Sequence, residues 1–123
     1  MARILIIDDD DELRRTLEHV LRSAGHEVFT ADEGRRGIAQ QRRTPVNLAI
    51  IDLFMSGQEG LETITEFRRD FPEVAVIAMS GGNESSHAML TVAKQLGAGA
   101  SLEKPFDIAK LLATVDLALA NIA

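Results

Sequence analysis

Short runs of β-branched and aliphatic residues alternate with helically spaced apolar residues five times along the chain. This alternation constrains the fold more than any other feature. The strand-like runs lie at 3–7, 27–30, 48–51, 74–79 and, more weakly, 100–102. Three of them are continuous apolar stretches, as strands covered by helices on both faces must be. Between them, Leu13, Leu17, Val20, Leu21 and Ala24 recur at helical spacing, with Gly25 as the stop. Gly37, Ile38 and Ala39 belong to a second helix that must end before Pro45. Leu61, Ile64 and Phe67 mark a third, closed by Pro72, and Met89, Val92, Ala93 and Leu96 a fourth, stopped by Gly97. Ile108, Leu111, Leu112, Val115 and Leu119 form the last stripe. Strict strand–helix alternation with short connections predicts an α/β fold over residues 1–123: a doubly wound parallel sheet with right-handed crossovers, in one domain.

Composition narrows the function classes. With 123 residues, 46% of them hydrophobic and 26% charged, the chain has the material for one core. There is no cysteine, hence no disulfide framework and no thiolate chemistry. The longest apolar run, 74–79, is far below the roughly 20 residues of a membrane span, so the expectation is a soluble, cytoplasmic protein with no membrane partner. Thirteen basic against nineteen acidic residues give a net charge of −6, and the basic pairs are scattered over separate helices. Direct nucleic-acid binding is disfavoured.

In doubly wound sheets ligands sit beyond the carboxyl ends of the strands, so the residues at those ends decide the chemistry. The first strand runs into Asp8-Asp9-Asp10-Asp11-Glu12, the third ends at Asp52, the fourth at Ser80 and the fifth near Lys104-Pro105. Clustered carboxylates repel one another, and a hard divalent cation such as Mg²⁺ relieves them. A carboxylate so placed can attack phosphorus, while Lys104 and Ser80 can serve the oxygens of a transferred phosphoryl group. Each residue also has a plainer reading. Acids at a helix start cap orphan N–H groups, which suffices for Asp10, Asp11 and Glu12. Asp52, Ser80 and Lys104 could each be turn residues. Four coincident strand ends make the plain readings poor in combination.

The sequence resembles the response-regulator receiver family of two-component signalling, to which CheY belongs. The likeness covers about residues 3–121, through Ile4-Leu5-Ile6-Ile7-Asp8-Asp9-Asp10, Ile51-Asp52-Leu53-Phe54-Met55, Met79-Ser80-Gly81 and Lys104-Pro105-Phe106. The resemblance implies a flavodoxin-like sheet of order 2-1-3-4-5 with about five flanking helices. It makes Asp52 the phosphoacceptor, Lys104 and Ser80 its catalytic companions, and Asp8, Asp9, Asp52 and the backbone carbonyl of Phe54 the holders of Mg²⁺. It implies a phosphohistidine donor on a sensor kinase or histidine phosphotransfer protein, and a downstream target or output domain as the receiver of the signal. The chain would then be no enzyme beyond catalysing its own phosphoryl transfer and dephosphorylation. It also implies a cis Lys104–Pro105 bond.

Four positions depart from the family's common pattern or bear on its behaviour. Ser56 replaces a proline, Glu59 replaces an Asp before Gly60, and Ser101 stands where an aromatic ring commonly swings inward. Phe54 fills a position that governs how water reaches the aspartyl phosphate. Without the ring, the signal is expected to appear in the loop at 80–85 and at the start of the fourth helix.

Two other readings compete. A haloacid-dehalogenase-type phosphatase uses similar groups, but Glu12 stands where its first motif needs Thr, and Asp52 would have no role. A pseudo-receiver would keep the fold as a docking module without the chemistry. The three histidines, His19, His26 and His87, show no metal-ligand spacing and read as surface residues.

Overall fold

A computed structural model describes residues 1–54, 59–81 and 84–122, with the backbone alone at 84–86. The elements alternate throughout: β1 (Arg3–Ile7), α1 (Asp11–Ser23), β2 (Glu27–Ala31), α2 (Gly34–Arg43), β3 (Leu48–Asp52), α3 (Glu59–Asp70), β4 (Ala75–Ser80), α4 (Glu84–Leu96), β5 (Ala100–Glu103) and α5 (Ile108–Ala120). All four strand pairings are parallel, in the order β2-β1-β3-β4-β5. This is the doubly wound, flavodoxin-like sheet that the alternation and the resemblance implied.

Pleating divides the core in two, because successive strand residues point to opposite faces. On one face Leu5, Ile7, Ala49, Ile51, Val76 and Ala78 pack under α2, α3 and α4, with Ile38, Ile64, Phe67, Leu90 and Ala93 above them. On the other, Ile4, Ile6, Leu48, Ile50, Ile77 and Met79 meet Leu17 and Leu21 of α1 and Leu111 and Val115 of α5. Both faces are covered, which is why β1, β3 and β4 carry almost no polar residue along their length. Gly25, at φ +97°, ends the turn after α1 in the left-handed region that disfavours any side chain. Phe67 is fully buried, and Phe29 and Phe71 pack on the same cluster.

Three details differ from the sequence reading. Val92 is 40% exposed while Leu90 is buried, because α4 carries apolar residues on more than one side and spacing alone does not fix its phase. Ile108 is 58% exposed; as the first residue of α5 it has no preceding turn to shelter it. His26 is only half exposed, since its Nδ1 accepts the Ala2 N–H at 3.2 Å.

Candidate phosphoacceptor and metal site

Parallel pairing brings the carboxyl ends of all five strands to one edge, and β1 and β3 are neighbours there although α1, β2 and α2 separate them in sequence. The backbone ladder runs one residue past the strands. Asp8 N–H donates to Ala31 O at 3.1 Å, Leu53 N–H to Met79 O at 3.0 Å, and Lys104 N–H to Ser80 O at 2.8 Å. These bonds fix where the site side chains start. The Lys104–Pro105 bond is cis, as the resemblance implied.

Asp8, Asp9 and Asp52 each offer a carboxylate oxygen within 4.8 Å of the others. Asp8 is fully buried, Asp52 is 3% exposed and Asp9 is open to solvent. Asp52 Oδ1 accepts the Phe54 N–H at 2.9 Å, and its Oδ2 lies 3.2 Å from Lys104 Nζ. The same ammonium is 3.5 Å from Asp8 Oδ2. Asp8 Oδ1 accepts the Asp10 N–H at 2.9 Å, but Asp8 Oδ2 has no hydrogen-bond partner among the described residues. Burial pushes the Asp8 carboxyl up to about 6; the Asp10 N–H works against this, the Asp52 charge adds to it, and Lys104 again opposes. One ammonium thus faces two buried carboxylates, which leaves excess negative charge in a site of low dielectric. That is the donor set a hard divalent cation takes, and the unpartnered Asp8 Oδ2 is the atom it would satisfy.

Ser80 closes β4 with no exposed surface, and among the described residues its Oγ is also without a hydrogen-bond partner. A buried hydroxyl at a strand end with nothing to bond is a donor awaiting an acceptor. Gly60 opens the third helix against β3: a Cβ there would meet Asp52 O at 2.5 Å and Leu53 Cα at 2.7 Å. Asp10 caps α1 by accepting the Leu13 N–H at 3.1 Å, with Asp11 and Glu12 in its first turn. Asp10, Asp11 and Glu12 thus serve the helix start, while Asp8 and Asp9 cluster with Asp52.

Of the expected residues, Asp8, Asp9, Asp52 and Lys104 converge, and Ser80 lies buried at the neighbouring strand end. Phe54 places its N–H on Asp52, while its ring is 43% exposed. Met55 and Ser56, and Gly82 and Asn83 of the loop expected to carry the signal, lie outside the described residues, and at Glu84 and Ser85 only the backbone is described.

Three side chains make contacts that the sequence does not announce. Arg14 Nη1 donates to Asp8 O at 2.8 Å and Nη2 to Asp11 at 2.6 Å, bracing the acidic turn from α1. Its place in the first turns after the acidic run was the available signal. Glu59 accepts the Gly34 N–H and so serves the start of α2 from α3. His87 Nε2 lies 3.0 Å from Glu103 Oε2, linking α4 to the end of β5; nothing in its sequence spacing announces this.

Comparison with known proteins agrees with this geometry. Residues 4–116 match the family model "Response regulator receiver domain". The chain is 34% identical over 119 residues to the KDP operon transcriptional regulatory protein KdpE of Escherichia coli (strain K12), covering 97% of this chain and 52% of KdpE. It is 30% identical over 121 residues to Protein PilH of Pseudomonas aeruginosa, covering 98% of this chain and all of PilH. The chain thus spans about half of one relative and the whole of the other. Among solved structures, the receiver domain of NtrX from Brucella abortus superposes with a TM-score of 0.90 at 28% identity, covering 96% of this chain and 98% of that one. A CheY-like receiver domain protein from Methanospirillum hungatei JF-1 gives 0.88 at 27%, covering 98% and 94%. Sequence, fold and site geometry agree: the chain belongs to the response-regulator receiver family, the phosphoaspartate switches of two-component systems.

Proposed function

We propose that Asp52 accepts a phosphoryl group from a phosphohistidine on a sensor kinase or histidine phosphotransfer protein. Asp8, Asp9, Asp52 and the backbone carbonyl of Phe54 would hold Mg²⁺. An Asp52 carboxylate oxygen attacks phosphorus as the P–N bond to the donor imidazole breaks, and the imidazole leaves with that electron pair and takes up a proton. Lys104, already 3.2 Å from Asp52, neutralises the transferred oxygens, and the buried Ser80 hydroxyl donates to one of them. Bound Mg²⁺ would supply the remaining charge neutralisation on the phosphoryl oxygens. The observation that carries this reading is the single Lys104 ammonium set between two buried carboxylates, one of them with an unsatisfied oxygen.

On this reading the chain is a switch and no enzyme for an external substrate, and it works in the cytoplasm, where its donor is made. Among the described residues no helix is long and apolar enough to cross a membrane. The signal passes to a downstream protein or to an output domain. Two relatives are transcriptional regulatory proteins of which this chain spans 52% and 26%. With Ser101 half-buried in place of a ring, the signal travels through the end of β4 and α4, where the His87–Glu103 link must yield if α4 moves. Incubation with acetyl phosphate and Mg²⁺, followed by intact-mass spectrometry, tests the proposal. One phosphoryl group per chain is expected. Continuous donor hydrolysis without an adduct would instead indicate a phosphatase, and no reaction at all a docking module.

A further inference from the structure

The Arg14 side chain is only 18% exposed, although its neighbours Asp11, Glu12 and Arg15 on α1 are open to solvent. Its place is set by the end of the strand ladder. Asp8 N–H donates to Ala31 O, and in a parallel pair the carbonyl of the same residue points the same way. β2 ends at Ala31, so no strand residue is left to serve Asp8 O. Arg14 Nη1 takes that role, donating to Asp8 O at 2.8 Å, while Asp11 Oδ1 holds Nη2 at 2.6 Å. The Asp8 side chain is fixed separately, by the Asp10 N–H on its Oδ1 at 2.9 Å.

Asp8 O belongs to the peptide that joins Asp8 to Asp9. Asp9 is open to solvent, and among the described residues its carboxylate makes no hydrogen bond. Its direction therefore depends on the backbone that carries it, and a peptide plane free to turn would swing it. Mg²⁺ tolerates little of that, since it requires near-octahedral oxygens at about 2.0–2.1 Å. We propose that Arg14 is a positioning residue for the cation: by holding Asp8 O it keeps the Asp8 and Asp9 carboxylates aimed at a common point beside Asp52. This role rests on the reading that Asp8, Asp9 and Asp52 hold Mg²⁺. Two effects of the guanidinium oppose one another. As a positive charge it repels a cation, whereas as a brace it favours one. Asp11 balances the charge at 2.6 Å, which leaves the brace to decide the sign. Loss of Arg14 should therefore weaken Mg²⁺ binding, although electrostatics alone would strengthen it.

Mg²⁺ titration of the whole chain, followed by amide NMR shifts, tests this. Arg14→Met should raise the half-saturating Mg²⁺ concentration by about tenfold or more, the usual loss when a group that orients a metal ligand is removed. Arg14→Lys keeps the charge but not the two-pronged fork, and should raise it by about threefold or more. Arg15→Met removes a neighbouring exposed charge without touching Asp8, and should bind Mg²⁺ as tightly as wild type or slightly tighter. The metal-free spectra report whether each variant is folded. With acetyl phosphate, the Mg²⁺ concentration for half-maximal phosphorylation should rise more in Arg14→Met than the limiting rate falls. Damage to the fold would instead lower the limiting rate. Arg14 variants that bind Mg²⁺ as tightly as wild type, or more tightly, would overturn the inference and leave the metal site standing, provided that Asp9→Asn abolishes binding. Equal weakening by Arg15→Met would overturn it too. A wild type that binds no Mg²⁺, or an Asp9→Asn variant that binds it undiminished, would overturn the site reading itself and this inference with it.

Discussion

The two edges of the sheet treat buried polar groups in opposite ways. At the edge where strands begin, Gln41 is 1% exposed and its Oε1 accepts the Val46 N–H at 2.9 Å. Asn47 stitches β1 to β3 and β4: its side chain accepts the Arg3 N–H at 2.8 Å, its N–H donates to Arg3 O, and its carbonyl takes the Ala75 N–H. Arg68 reaches under Gly97 to the carbonyls of Phe71, Pro72 and Val74. The cost there is burial of its guanidinium, which lowers the Arg68 pKa, and a buried Nε without a partner among the described residues. At the edge where strands end, Asp8 Oδ2 and Ser80 Oγ are buried with no hydrogen-bond partner among the described residues, and two buried carboxylates share one ammonium. Polar groups at the first edge mainly hold backbone in place; at the second, two buried oxygens have no hydrogen-bond partner among the described residues. Unpaired buried polar atoms beside a cluster of ionisable groups mark a candidate binding site.

Substitutions at the two edges should therefore differ in sign. The largest effect is expected for Gln41→Ala, which leaves the buried Val46 N–H unpaired and opens a cavity. A loss of about 2–4 kcal/mol in urea unfolding is expected. A change below about 0.5 kcal/mol would remove the contrast between the edges.

Asp8→Asn should do the reverse. The Asp8 carboxyl is raised to about 6 when folded, against its ordinary value of 3.8. Between those values the native state holds a proton that the unfolded chain has released, so the Asp8 contribution to stability falls as pH rises through the window. The fall is on the order of 2–3 kcal/mol and is complete above about pH 6. At pH 8 the amide should accordingly stabilise the metal-free protein by about 1–2 kcal/mol, and near pH 4 the gain should vanish. A gain that persisted at pH 4 would trace the effect to something other than the Asp8 charge.

Millimolar Mg²⁺ should raise Tm by a few degrees at pH 8, and Asp9→Asn should abolish that response while leaving the fold intact. An Mg²⁺ response that survives Asp9→Asn would move the cation elsewhere. The smallest effect is expected for Ser101→Ala, within about 0.5 kcal/mol, because the half-buried hydroxyl has little apolar area to lose.

These predictions rest on features that the sequence made legible to different degrees. The sheet was readable because β1, β3 and β4 are buried on both faces and so leave no polar residue inside them. The site was readable for a related reason: where an apolar strand ends in Asp52, Ser80 or an Asp8-Asp9 pair, the change in polarity falls at the edge where ligands bind. What stayed hidden depends on distance or on phase. Spacing does not reveal that Lys104 reaches both Asp8 and Asp52, that Arg14 braces the Asp8 turn, or that Glu59 reaches across to Gly34. The exposure of Val92 and Ile108 depends on which way an apolar helix is rotated and where it begins, and neither is fixed by periodicity alone. His26, read as a surface residue, is half-buried because the chain start folds back onto it.

The central claim is that the unsatisfied edge is a phosphoryl site with Asp52 as its nucleophile. The most direct test is to compare wild type and Asp52→Asn with acetyl phosphate, with and without Mg²⁺, locating the adduct by peptide mass mapping. Wild type should carry one phosphoryl group, on the peptide containing Asp52 and only when Mg²⁺ is present. Asp52→Asn should react at least about 100-fold more slowly. Undiminished phosphorylation of Asp52→Asn, or an adduct mapped to another acid of the cluster, would contradict the account.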